Sequence, residues 1–288
     1  MNKQFAPINK NHAIAEVVFF FNFNARFADS TISLLDNVAD KLKDQLPSYS
    51  PIQAIDQQVK FETHNNQPIV TNTVRKAGFE LKKFNPSGQI DWVLALNDET
   101  ISVNCLDYTR WEDVWGKTKS FLIEIFNIVS SQNNLNLVNF GFKCVDKFSF
   151  HGIPSEYDLS NLFKAESDFL PNQIFKATET WHCNSGWFDD SFNNLEQDNK
   201  FKVLNHFNLD SSRIQSNLNN MDQIVVTIDH TQVVVFEKGI IEQELLDLNG
   251  NISNVFNKMH EMNKLALLNI LNSNIAKQIN LKGGVYGS

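Results

Sequence analysis

Hydrophobic positions change period several times along this 288-residue chain, and each change predicts an element. From Ala13 to Phe23 the run is rich in Val and Phe. Val17, Phe19, Phe21 and Phe23 share one face, Val18 and Phe20 the other, which predicts a strand covered on both sides. Asp29-Ser30-Thr31 then opens a helix. Its apolar positions Ile32, Leu35, Val38, Ala39, Leu42 and Leu46 recur at helical spacing until Pro47 stops it. Between residues 50 and 106 the period returns to two. Val59–Glu62, Gly78–Phe84, Ile90–Leu96 and Thr100–Leu106 read as strands, with turns at Asn85-Pro86-Ser87-Gly88 and Asn97-Asp98-Glu99.

A second helix carries the stripe Trp111, Val114, Trp115, Thr118, Leu122, Ile125 and Val129. Thr109 and Glu112 have capping-box spacing, which makes Arg110 the first helical residue. The helix fades over Ser130–Asn134, and a second series begins with a strand from Leu135 to Phe150, its core positions Val138, Phe140, Phe142, Phe148 and Phe150. Pro154-Ser155 opens a short helix through Leu159, Leu162 and Phe163. Strands are predicted at Gln173–Cys183, Phe201–Leu209, Ile224–Ile228 and Gln232–Glu237, the last two around a tight turn at Asp229-His230-Thr231. A long helix follows from Ile252 to Ile275. Both series read strand, helix, three or four strands ending in a hairpin, then a longer helix. The predicted class is therefore α+β: an antiparallel sheet packed against two long helices. It is arranged either as two similar halves, 1–132 and 133–288, or as one continuous domain.

Composition narrows the function. Hydrophobic residues at 42% and charged residues at 20% describe a globular chain, not a disordered one. The net charge is −8 and no Lys/Arg run exceeds a pair, which argues against nucleic acid as a partner, because phosphate contacts supply most of that affinity. Cys105, Cys144 and Cys183 are far apart and odd in number; they predict reduced thiols in the cytoplasm and no zinc site. Glu16 and Asn22 break the first apolar run and no cleavage site follows it, so it reads as a strand and not as a signal peptide. No stretch approaches the ~20 apolar residues of a membrane helix, so no membrane association is expected. Dinucleotide, P-loop, HExxH, GxSxG and kinase signatures are missing, and no cofactor is expected.

Few residues offer chemistry. His182 and Cys183 point to opposite faces of a strand. His206 in the next strand makes a weak alternative metal pair with His182, if Glu179, Asp189 or Asp190 adds a third ligand. His230 is placed at a solvated hairpin tip, and His260 on the surface of the last helix. Asp36, Asp40 and Asp44 read as one solvated helix face. The most distinctive segment runs from Asp107 to Trp115. As structure it is a strand end, a cap and an aromatic helix face. As a site, Tyr108 and Arg110 become a pocket rim, and Trp111 with Trp115, if exposed, a binding hot spot.

Three segments also carry a resemblance: Ala15-Glu16-Val17-Val18-Phe19, Asp107-Tyr108-Thr109-Arg110-Trp111 and Val255-Phe256-Asn257-Lys258-Met259-His260. Together they resemble a sporadically distributed family of uncharacterised bacterial proteins that pair "EVVF"-like, "Y..W" and late-helix "LH" patterns. The resemblance spans nearly the whole chain, with Met259-His260 standing where Leu-His is usual. It implies scattered inheritance, as in mobile or defence-associated loci, and brings no assigned reaction and no catalytic residues. The expected function is a non-enzymatic interaction, sensor or accessory subunit of a bacterial defence or toxin–antitoxin locus. Such a subunit would have a protein partner, and a homo-oligomer is an open alternative. A small-ligand pocket between sheet and helices is the next reading, and an unrecognised hydrolase or nuclease the third. An apolar cleft with few convergent polar groups would favour the ligand, and a large exposed apolar patch a partner.

Overall fold

Period-two alternation is realised as a single antiparallel sheet that both halves of the chain share. The computed structural model describes residues 4–9, 11–61, 68–132, 135–189, 201–215, 222–236 and 247–281. The strands are β1 (Phe5–Pro7), β2 (Ile14–Phe23), β3 (Ser48–Phe61), β4 (Pro68–Phe84), β5 (Ile90–Asn97), β6 (Thr100–Cys105), β7 (Leu137–Phe150), β8 (Trp181–Asp189), β9 (Phe201–Gln215) and β10 (Asp222–Phe236). The helices are α1 (Asp29–Leu42), α2 (Trp111–Ser130), α3 (Asn251–Ile270) and α4 (Ser273–Gln278). The sheet runs β3-β4-β5-β6-β2-β7-β10-β9-β8, and β1 pairs with the end of β7 beyond β2. β2 and β7 are central neighbours. From each, the chain crosses to an outer edge, returns strand by strand to that same central strand, and then forms a 20-residue helix.

The mixed α+β class and the antiparallel sheet are as predicted, but the helical layer is not a pair of long helices. Four are present among the described residues, including α1, which starts at Asp29 and buries its predicted stripe of Ile32, Leu35, Val38, Ala39 and Leu42. The predicted last helix breaks at Leu271-Asn272, where the Asn272 side chain accepts from Asn274 N at 2.9 Å and caps α4. Residues 154–163 form only 3-10 turns. Pro171 opens another at Asn172–Lys176, so β8 starts at Trp181 and not at Gln173. The predicted capping box does not form. The N-cap of α2 is Arg110, no side chain caps it, and helicity starts at Trp111. Asn133, Asn134, Glu62 and Glu237 lie outside the described residues.

The largest correction concerns β10, which runs unbroken through Asp229-His230-Thr231. Polar residues suggest a turn when their side chains lack partners in a strand; here all three have them, Thr231 through its hydroxyl to Asp229 Oδ1 at 3.1 Å. Asp229 points to the open face and pairs with Lys143 at 2.6 Å, while His230 points inward with an amide oxygen beside each ring nitrogen, Asn263 Oδ1 at 2.8 Å and Asn205 Oδ1 at 3.1 Å.

All of α2's predicted stripe is buried, and Phe256 of α3 ties the layers together. Its ring meets Phe19, Phe21, Trp115 and Phe140 at centroid distances of 5.3, 5.8, 4.8 and 5.3 Å. The opposite sheet face has no helix over it among the described residues. Val18 and Phe20 are only half-buried, which corrects the expectation of two covered faces. Phe20 lies across β7 at Gly141, where a Cβ would overlap its ring and the Gln232 carbonyl. At Gly78, with φ +157°, a Cβ would overlap the Leu96 carbonyl oxygen. Pairing of β4 with β5 begins there. On the far side of Gly78, among the described residues, β3 and β4 pair only with each other, as a ribbon whose cross-strand pairs Ile55–Val74 and Val59–Val70 are all exposed. Among the described residues no helix is long and apolar enough to cross a membrane.

Candidate functional site

β7 alternates Phe140, Phe142, Cys144, Asp146, Phe148 and Phe150 on its helix-covered face. One carboxyl therefore lands in an apolar row. Asp146 is 2% exposed and sits where one core cluster, reaching Cys144, gives way to a second that starts at Phe148. Above it, the N-terminal end of α2 and the middle of α3 leave a cavity of about 410 Å³. Tyr108, Arg110, Trp111, His260 and Asn263 line it with Asp146, and Ile14, Leu267 and Leu281 add apolar wall.

Asp146 is poorly compensated. Its side-chain partner is the Cys144 thiol, 3.6 Å from Oδ2. Burial pushes the Asp146 carboxyl up to about 7, and the thiol's hydrogen bond opposes this only in part. Cys144 is held well above its ordinary value, first by burial and then by the Asp146 charge, so the thiol keeps its proton and donates it.

The walls are aromatic. The Trp111 indole N–H donates to Asn257 Oδ1 at 2.7 Å, and its ring stacks on the His260 imidazole at 4.2 Å and 2°. Burial, with help from the Lys264 charge, brings His260 down to about 3, so this is a neutral stack. Burial raises the Tyr108 phenol, whose ring meets His12 at 5.4 Å. Among the described residues His12 Nδ1 is buried without a hydrogen-bond partner. Arg110 stands exposed at the mouth, its Nε donating to Asp113 at 2.7 Å.

From Asp146 a chain of polar side chains runs beneath α3. Cys144 is in reach of the Asn263 amide, and Asn263 Oδ1 lies 2.8 Å from His230 Nδ1. His230 Nε2 is 3.1 Å from Asn205 Oδ1, to which Gln232 Nε2 donates at 3.1 Å. Burial lowers His230 to about 4, so the ring is neutral and supplies one N–H to this chain. Phe207 stacks on it at 4.2 Å. The chain ends at a second cavity of about 260 Å³, bordered by Phe169, Trp187, Asn205, His230 and Asn269.

Of the four residues predicted as a binding site, Tyr108, Arg110 and Trp111 line the larger cavity together. Trp115 does not; it is a core residue whose indole N–H donates to Ser253 Oγ at 3.0 Å. His182 and His206 are exposed on β8 and β9, opposite Asp210 and Gly186 respectively, and the structure does not bring them together. Glu179 is engaged with Arg213, and Asp190 lies outside the described residues. Among the described residues no three His, Cys, Asp or Glu side chains form a metal-binding group.

Sequence reasoning missed Asp146, His230 and Asn263. A signal existed for two of them. Asp146 interrupts a period-two row of Phe and Cys, and His230 shares parity with Val226, Ile228, Gln232 and Val234. In comparisons with known proteins, no family model, curated protein or solved structure matches this chain.

Proposed function

We propose that this protein binds a small ligand in the cavity between α2, α3 and β7, and serves as a sensor or accessory subunit without chemistry of its own. One observation carries the reading: Asp146, buried on the cavity floor with a thiol as its side-chain partner. A buried carboxyl so weakly paired costs stability, which folding alone does not return and a ligand can. The surroundings combine apolar and aromatic wall from Ile14, Trp111 and Leu267 with polar groups such as Arg110, Glu112 and Asn263, and ligand sites draw on both kinds of group. Cysteine chemistry is disfavoured because Cys144 holds its proton. A bacterial defence or toxin–antitoxin setting rests on the family resemblance.

A thermal-shift screen of small polar compounds tests the reading. A saturating ligand is expected to raise the melting temperature by a few degrees, because binding at ~100 Kd adds about 2.7 kcal/mol. Thr109→Trp supplies the control: Thr109 is exposed and lines the mouth, so the larger side chain closes the cavity without entering the core. Equal shifts in both proteins would place the ligand elsewhere and end this reading.

A second reading, association with another protein chain, has its own support in the β3–β4 ribbon. Isolated two-stranded ribbons are marginally stable in water, and this one exposes Ile55, Val59, Val70 and Val74 on one face. Val59→Glu with Val74→Glu is expected to change stability by less than about 0.5 kcal/mol per site while reducing self-association in sedimentation. Identical sedimentation of variant and wild type would remove self-association through the ribbon.

A further inference from the structure

Resting on the ligand reading, the chemistry of the cavity names the class of ligand. We propose that the site over β7 takes a small organic cation, an amine or amidine whose N–H groups meet the Asp146 carboxylate while its apolar body lies among Tyr108, His260 and Leu267.

The argument is one of charge on every side of Asp146. On its own strand it meets the protonated Cys144 thiol. From the N-terminal end of α2 the cavity receives Tyr108, Glu112 and Arg110, and Arg110 is turned to Asp113. From α3 come the neutral His260, the Asn263 amide and Lys264, which is exposed at the rim. The link before β2 brings His12, and β10 brings the neutral His230 through Asn263, while Asp229 of β10 faces the other side of the sheet with Lys143. None of these, among the described residues, places a positive charge on the buried carboxyl. A cationic ligand does so, and it replaces a costly buried charge with a hydrogen-bonded ion pair. An anion would meet an acidic floor, and a neutral amide would leave the carboxyl protonated.

Proton balance follows. Where Asp146 is protonated in the free protein, binding the cation sends that proton to solvent and leaves the carboxylate paired. Affinity must therefore fall as the solution is acidified.

Isothermal titration with probes of one shape and three charges tests this: benzamidine and phenethylamine as cations, benzamide as the neutral form, benzoate as the anion. At least one cation is expected to bind at pH 8 and to weaken on the order of tenfold at pH 6. Buffers of different ionisation enthalpy should register close to one proton released at pH 6. Asp146→Asn should lose the preference for cations and its pH dependence, whereas His206→Gln, at an exposed position on β9 that lines neither cavity, should keep both; if Asp146→Asn fails to fold, the wild-type pH series and proton count decide. Tighter binding of benzamide or benzoate, or affinity that rises with acidity, overturns the cation and leaves the ligand cavity standing. Silence from both cations also overturns it, and the thermal-shift screen then judges the cavity separately.

Discussion

Asp146→Asn should make the protein more stable at pH 8. Loss of a buried hydrogen-bonding acid usually destabilises; here the sign reverses because the native state holds this carboxyl at about 7 against an ordinary value of 3.8. In the unfolded chain Asp146 gives up its proton near pH 4; in the folded protein it does so only near 7. Between those limits the unfolded state binds fewer protons, so stability falls as pH rises, and the loss is complete above pH 7. At about 1.36 kcal/mol per unit the ceiling is about 4 kcal/mol, and on the order of 2–4 kcal/mol is expected for an isosteric amide. The advantage should vanish near pH 4. His230 and His260 act in the opposite direction: burial lowers both, to about 4 and about 3, so their contribution is present above 6.5 and is lost as pH falls through that range. Wild type should thus have a shallow acid limb, with one carboxyl offsetting part of two imidazoles, and Asp146→Asn a steeper one. Urea melts at pH 5, 6.5 and 8 check both features. A variant less stable by the same amount at every pH would mean that the carboxylate is well paired in the folded protein, and would remove the main support for a ligand there.

That arrangement explains how far the site could be read from sequence. Helix stripes were legible because they are local: Ile32 to Leu42 and Trp111 to Val129 repeat at helical spacing, and they are buried as that spacing predicts. The sheet's strands were legible where alternation was clean, as in β5 and β6. What failed were the readings that took the polar residues of β10 and of the start of α2 for a turn and a cap. Asp229-His230-Thr231 looked like a turn only because the partners of His230, Asn263 and Asn205, lie 33 and 25 residues away in sequence. Thr109 and Glu112 had the spacing of a cap, but Trp111 turns inward to Asn257 and His260, and the helix starts there, one residue later than the cap requires. Tyr108 and Arg110 were legible as a rim through their composition, while Trp111, read as helix stripe or as a hot spot with Trp115, stands in the wall beside them. The floor was not, because it depends on α3 crossing β7 more than a hundred residues downstream, a distance over which local patterns carry no information.

Trp115→Ala should cost about 3–5 kcal/mol, which would separate this tryptophan from its neighbour on the same helix. Trp115 is 4% exposed, packed against Phe19 at 5.2 Å and Phe256 at 4.8 Å. Its N–H donates to Ser253 Oγ, and that hydroxyl donates in turn to the Leu248 carbonyl at 2.6 Å. Truncation opens a void between α2, α3 and β2 that water cannot enter with good hydrogen bonds, and it leaves Ser253 with one partner fewer. Trp111→Ala removes a similar ring, but from the wall of the larger cavity, where the space gained joins an existing opening and its lining can be wetted. Its cost should be smaller, about 2–3 kcal/mol, with the effect falling on ligand binding instead. Denaturant melts of the two variants, read beside their response to the cation probes, distinguish a core residue from a wall residue. If Trp115→Ala is nearly neutral, Trp115 is not packed between the two helices, and the placement of α3 that forms the cavity over Asp146 fails with it. If both variants lose stability equally and neither alters binding, Trp111 is core as well and the ligand makes no use of the wall it forms with His260.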